Sequence, residues 1–284
     1  MNAAANESKM AMTDVEHLPA RDLSAAKSPS RLRALGAQVR QAVLPIVAAM
    51  FVIGCWEAIV RIKNISNALL PAPSAIALRL VDTLPFLLRQ AIPTTLETIA
   101  SFLISFVLGI GLAVLICKSR LVRDALYPNI VLFQLIPKIA LAPLFIVWLG
   151  IGSTSRITFA VFISFFPVVV ATLTGLTSVD RDLLRLCRAV GADESRIYVK
   201  VRFPVAVPHI FSGLKIAITF AMIGVIVGEF ITAQAGLGYM ILFAASQAEM
   251  TLIFASIVVL CAIGLVLYGL VVIAEGLALK KYGA

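Results

Sequence analysis

Two ionisable residues stand inside long apolar runs: Lys138, flanked by Pro137 and Pro143, and Glu229, directly after Gly228. A lysine at the centre of a membrane helix costs roughly 2.5–3.5 kcal/mol on insertion scales, so Lys138 is expected to face a bundle interior, a water-filled path or a helix break. Each flanking proline removes a backbone donor, which predicts a bent segment with the charge at the bend. Two readings stay open: Lys138 lines a solute path, or it pairs with a carboxylate and holds helices together. Glu229 carries the same choice as a path or gate residue, and Gln134 and Trp148 join these two as candidates for the path. Glu57 and Glu97 lie in apolar runs as well, Glu97 near the end of its run. Nothing here resembles a catalyst. The histidines are His17 and His209, neither beside a nucleophile, and Cys55, Cys117, Cys187 and Cys261 have no zinc or iron–sulfur spacing and need no disulfide. A Gly-x-x-x-x-Gly-Lys-Ser/Thr stretch is missing, so the chain is not expected to hydrolyse ATP, to hold a metal or to bind a cofactor itself.

The elements that must position these residues are set by the solvent. Of 284 residues, 61% are hydrophobic and 14% charged, and the mean hydropathy is +1.01. A soluble domain is about half apolar and a quarter charged, so lipid is the environment this chain fits. Six runs are long enough to cross a bilayer: Ala42 to Val60, Thr94 to Cys117, Leu126 to Leu149, Ile157 to Leu176, Ser212 to Ile231 and Thr251 to Ala274. The fold expected is an all-α membrane protein of six transmembrane helices, divided into a flexible tail (1–41), a six-helix domain (42–276) and a short tail (277–284). The first apolar run starts too late for a cleavable signal peptide.

The net charge is +9, and its distribution matters more than its sum. Outside the runs, seventeen Lys and Arg fall on one side and five (Arg61, Lys63, Arg79, Arg89, Arg156) on the other. The positive-inside rule then puts both termini in the cytoplasm, as an even number of spans requires. The outer link between the first two runs holds Leu70-Pro71-Ala72-Pro73-Ser74, where Ser74 is expected to cap a short helix over Ala75 to Leu84. In the outer link after Thr232, Gly236 and Gly238 precede an amphipathic stretch from Tyr239, read as a short helix or re-entrant piece.

The cytoplasmic link 177–211 is too patterned for a spacer. Asp180-Arg181-Asp182 opens a helix with Leu183, Leu184, Leu186, Cys187 and Val190 on its apolar side, and Gly191 suits a left-handed stop. Asp193 is placed to cap a second helix through Ile197, Tyr198 and Val201, which Phe203-Pro204 should end. The product is a helix, a glycine turn and a short helix displaying Arg196, Lys200, Arg202, Tyr198 and Ile197: a docking surface, or an amphipathic hairpin lying on lipid headgroups.

This segment resembles the EAA loop of type 1 permease subunits of bacterial ATP-binding-cassette importers. Gly191 and Phe203-Pro204 fall in the family's register, with Val201 at its hydrophobic position; the triplet position holds Arg185-Leu186-Cys187, without the family's Glu-Ala-Ala. Leu70-Pro71-Ala72-Pro73-Ser74 and the run Ile136 to Leu144, continued by Trp148 to Gly152, resemble the nitrate/sulfonate/taurine-type branch, and Gly228-Glu229-Phe230 before Gly236-Leu237-Gly238 resembles the family near its fifth span. The Pro137-Lys138-Ile139-Ala140 version looks closer to members handling pyrimidine- or flavin-type precursors of thiamine and riboflavin.

The resemblance implies a channel-forming permease of the inner membrane with the type 1 importer fold. It implies a second copy of the chain, two cytoplasmic ATP-binding subunits carrying ATP and Mg, an external solute-binding protein, and no nucleic acid. It assigns ATPase contact to Gly191, Ala192, Asp193, Glu194, Arg196, Ile197, Tyr198, Lys200 and Pro204. The rival is a secondary transporter independent of an ATPase, for which the ordered cytoplasmic hairpin is a poor fit.

Overall fold

A computed structural model describes residues 31–282, all of whose regular elements are helical. The expected tail lies outside the described residues up to position 30, as do the last two residues of the C-terminal segment. The chain divides into two units at Cys55/Trp56. The first holds most of α1 (Arg31–Ile62), whose Leu44, Met50 and Phe51 are exposed, as lipid-facing side chains are.

The second unit contains the end of α1 and a bundle built from α2 (Pro73–Lys118), α3 (Arg120–Leu135), a 3₁₀ turn (Lys138–Leu141), α4 (Ala142–Leu149) and α5 (Ser153–Thr177). Then follow α6 (Arg181–Ala189), the single turn α7 (Glu194–Ile197), a π turn (Tyr198–Arg202), α8 (Phe203–Thr232), α9 (Leu237–Ser246) and α10 (Met250–Tyr282). Among the described residues five helices are long and apolar enough to cross a membrane, or six when α3 and α4 count as one bent span.

Packing centres on α5 and α8, where small residues let two backbones meet. A Cβ added to Gly224 would lie 2.6 Å from the Ala160 backbone, and one added to Gly213 would lie 2.5 Å from the Ala171 side chain. Lipid offers no hydrophobic drive between helices, so such close approach, with its dispersion contacts, is what holds them. Val168, Leu214, Ala217 and Ile218 form the adjoining core, joined by Leu267 and Val271 of α10.

Two local expectations are corrected. The short helix over Ala75 to Leu84 is not separate: α2 runs unbroken for 46 residues with Pro85 and Pro93 inside it. At 1.5 Å per residue it is about 69 Å long, far more than the ~30 Å hydrocarbon core, and its first turns project beyond. Ser74 does not cap it; Ala72 holds the N-cap place, Pro73 begins the helix, and the Glu57 carboxylate accepts from the Ser74 N–H (3.0 Å) and hydroxyl (2.8 Å). An anion at a helix start satisfies donors that have no partner inside the helix.

The second correction is at Phe203-Pro204, which does not stop the helix. From Glu194 to Thr232 the chain is one helical run of 39 residues. The π turn is the reason: the Phe203 N–H bonds to the Tyr198 carbonyl five residues back, and the wider turn makes room for the proline ring. The span from Leu126 to Leu149 is bent as expected, as two helices meeting at 86° around Ile136-Pro137. The bend is where the two prolines predict it; its size is set by the non-helical Ile136 and Pro137 (ψ 134° and 79°).

Candidate functional site

Three places combine polar chemistry with a special backbone: the hairpin 180–204, the break at Lys138, and a polar knot at the opposite end of the bundle.

At the hairpin, Asp180 caps α6 by accepting from the Asp182 N–H at 2.8 Å. The helix ends as its sequence dictates. Gly191 adopts φ +80°, its N–H bonds to the Arg188 carbonyl, and the Ala192 N–H bonds to the Cys187 carbonyl, both at 3.0 Å. This pair of bonds is a Schellman stop, and a side chain at position 191 would be strained there. Asp193 occupies the N-cap place of α7 without a side-chain cap bond, turning instead toward Arg196 at 3.7 Å. Arg188 and Glu194 bridge the two sides of the turn at 2.7 Å, and this contact holds the Arg188 guanidinium above its ordinary pKa.

The hairpin's outward face carries Gly191, Asp193, Glu194, Arg196 and Lys200, all exposed, with Ala192 and Pro204 half-buried. Ile197 is not on that face. It is 1% exposed, pinning the hairpin to the bundle, and Tyr198 packs half-buried against the core around Leu214 and Leu267. The expected anchors thus split into an inward apolar pair and an outward charged set. On α6, Leu183, Leu186 and Val190 remain exposed.

At the break, Lys138 is half-buried with its Nζ 4.7 Å above the centre of the Phe166 ring. No carboxylate pairs with it among the described residues, so of the two readings the ion pair is not formed, and the cation rests on an aromatic face instead. Phe166 is itself bracketed by Phe133, Phe162 and Phe165. Gln134 and Trp148 are exposed, Trp148 tilted against Phe145. Gln134 lies in the last turn of α3 and Lys138 opens the 3₁₀ turn just past the break, so the two flank it; Trp148 lies near the far end of α4.

The polar knot was missed as a unit by sequence reasoning. Glu229 is 1% exposed and lines no open path in this structure. One carboxylate oxygen accepts from the Thr94 hydroxyl of α2 and the other from the Gly238 N–H, each at 2.7 Å. Thr94 accepts in turn from the Leu237 N–H, and Gln90 from the Gly236 N–H, each at 2.9 Å. The three amides that open α9 are thereby satisfied by side chains from α2 and α8. Gly236 (φ +117°) and Gly238 are glycines because Glu229 occupies the space a Cβ would take. One turn along, Arg156 of α5 grips Glu97 of α2 through both carboxylate oxygens, at 2.8 and 2.5 Å, both side chains nearly buried. Lys215 and Glu275 pair at 3.0 Å between α8 and α10. The signal for these pairs was present, since an isolated charge in an apolar run requires a partner, but their separations of 59 and 60 residues hide who pairs with whom. Among the described residues no group of His, Cys, Asp and Glu could hold a metal ion.

Comparison with known proteins gives this architecture its family. Residues 105–278 match the model of the binding-protein-dependent transport system inner membrane component. A probable ABC transporter permease protein of Haemophilus influenzae is 33% identical over 224 residues, covering 79% of this chain and 91% of that protein. The formylaminopyrimidine transport permease protein ThiX of Halalkalibacterium halodurans is 35% identical over 226 residues, 79% of this chain and 90% of the relative. In fold, the chain matches a structure of the MetNI methionine ABC transporter with a TM-score of 0.58 at 22% identity, over 72% of this chain and 99% of that one. The chain is a multi-pass bacterial inner-membrane permease and belongs to the family of inner-membrane components of binding-protein-dependent transport systems.

Proposed function

We propose that this permease works as one of two identical halves of an ATP-driven importer, with both termini in the cytoplasm. An external solute-binding protein delivers a small polar or anionic solute, and two cytoplasmic ATPase subunits with bound ATP and Mg supply the energy. The observation that carries this reading is the continuity of the helical run Glu194–Thr232. Its first turn is the charged hairpin face; its last turn holds Glu229, which caps α9. At 1.5 Å per residue the run is about 58 Å long, enough to cross the bilayer from the ATPase to the outer mouth. Closure of the ATPases against Gly191 to Lys200 would displace this rod, and α8 would carry α5 and α9 with it through the glycine contacts and the polar knot. The two end states would then differ in how rigid parts are packed.

The path follows the broken span. Irregular backbone at membrane depth must be buried in protein or line water, and Gln134 and Lys138 flank the irregular Ile136-Pro137. Pairing of two copies around this face would enclose it. The solute class rests on the fixed cation at Lys138 and on the likeness to a formylaminopyrimidine permease, with most selection falling to the binding protein.

The test is reconstitution of the chain with its co-purifying partners in proteoliposomes. Gly191→Pro should fold and insert but lose partner binding or stimulated ATP hydrolysis. Retention of full coupled activity would remove Gly191 from the mechanical link, and uptake without any ATPase would favour a secondary transporter.

A further inference from the structure

A cavity of about 1350 Å³ lies where the end of α2, the start of α3, the α5–α6 turn and the α7–π turn meet. Lys118, Arg123, Arg181, Arg188 and Arg202 line it, with the carboxylates of Asp124 and Glu194. Both carboxylates are engaged, Asp124 beside Arg123 at 3.4 Å and Glu194 on Arg188 at 2.7 Å. Lys118, Arg181 and Arg202 make no ion pair within 4 Å among the described residues, although the Arg202 charge acts on the nearby Glu194. Arg202 is half-buried, and its Nη1 reaches the Cys117 thiol at 3.7 Å. The Tyr198 hydroxyl, in the same wall, is buried with no hydrogen-bond partner.

A retention rule for positive residues on one side of a membrane accounts for cations at this end, but not for an arginine half-buried against a thiol beside an orphaned phenol. Gathering five cations around two carboxylates that are already engaged leaves the wall rich in donors and short of acceptors. An oxyanion with several lone pairs completes it, and phosphate is the anion that guanidinium forks fit best.

We propose that this cavity is a binding site for a phosphate group, with the headgroup of an anionic phospholipid as its first source. The neighbouring α3 favours the lipid: Leu121, Val122 and Leu126 are exposed beside the cavity, where acyl chains would run while the headgroup meets the cations. A free phosphate compound is the second source of the same chemistry. The inference does not depend on the transported solute.

The test uses the complex as purified with its partners. It is placed in nanodiscs of phosphatidylcholine with and without phosphatidylglycerol, re-extracted, and examined by native mass spectrometry for retained lipid. Phosphatidylglycerol should be retained over phosphatidylcholine. Retention should fall roughly tenfold in Arg202→Gln, the loss of one charged hydrogen-bond partner, and be largely restored by Arg202→Lys. The pair Lys118→Gln with Arg181→Gln, both exposed, serves if Arg202→Gln fails to fold. Should no lipid be retained while inorganic phosphate raises the melting temperature of the wild type and not of the variants, the site stands with a soluble ligand. Equal lipid retention and equal phosphate response in wild type and both sets of variants would overturn it.

Discussion

The polar knot makes the sharpest quantitative prediction. In Glu229→Ala the Gly238 N–H and the Thr94 hydroxyl lose their acceptor. Each buried orphan costs about 1–3 kcal/mol, and in membrane proteins the lower half of that range applies because the unfolded helices also find partners, giving about 2–4 kcal/mol in all. Gly238→Ala acts differently. Its new Cβ would stand 2.7 Å from the Glu229 Oε2 and 2.9 Å from the Glu229 Cβ, an overpacking worth about 1–3 kcal/mol. The Glu229 carboxylate is the nearest obstacle, and truncation removes it, leaving the Cβ of residue 229 at 2.9 Å and the Ile226 carbonyl at 3.1 Å. The two substitutions should therefore not add: the double variant should be less destabilised than the sum by about 1–2 kcal/mol. Reversible unfolding in mixed micelles, driven by dodecyl sulfate, measures all four corners of the cycle. Additivity within about 0.5 kcal/mol would mean that Glu229 and Gly238 do not share this space, and the knot as described would be wrong.

Other perturbations follow from the same geometry. Arg156→Ala strands the nearly buried Glu97 and should cost about 3–5 kcal/mol in the same titration, whereas Arg156→Met with Glu97→Leu should cost far less. Gly224→Ala drives a Cβ against the Ala160 backbone and should lower stability by about 1–3 kcal/mol or more, because backbone cannot swing aside. Lys138→Met removes an uncompensated charge from the break; it should leave the melting temperature equal or higher while uptake into proteoliposomes falls, and unchanged uptake would take Lys138 out of the path.

Much of the fold was legible because membrane helices declare themselves by length and apolarity, and the hairpin because its punctuation is local. Asp180, Gly191 and Asp193 act through neighbours within a few residues, and the Schellman stop at Gly191 is read directly from glycine after an amphipathic helix. Prolines misled where their effect depended on surroundings. Pro85 and Pro93 lie within α2, and Pro204 follows a π turn, so none ends a helix. Long-range pairing was not legible. Glu229 and Thr94 are 135 residues apart, and no local pattern says that a carboxylate beside Gly228 turns to the amides of α9 rather than to a solute. Ile197 illustrates the same limit on one element: periodicity placed it on the hairpin, but only the packed bundle shows that it faces inward.

The central claim is that the charged face from Gly191 to Lys200 meets the ATPase and moves α8. Arg196 is exposed on that face, engaged only loosely by Asp193. In a version of the complex with its native cysteines replaced, Arg196→Cys carrying a short photo-activated cross-linker should join this chain to an ATPase subunit, and the yield should change when ATP is bound. Cross-linking to lipid alone, with the ATPase present in the preparation, would contradict the account and return the hairpin to the membrane surface.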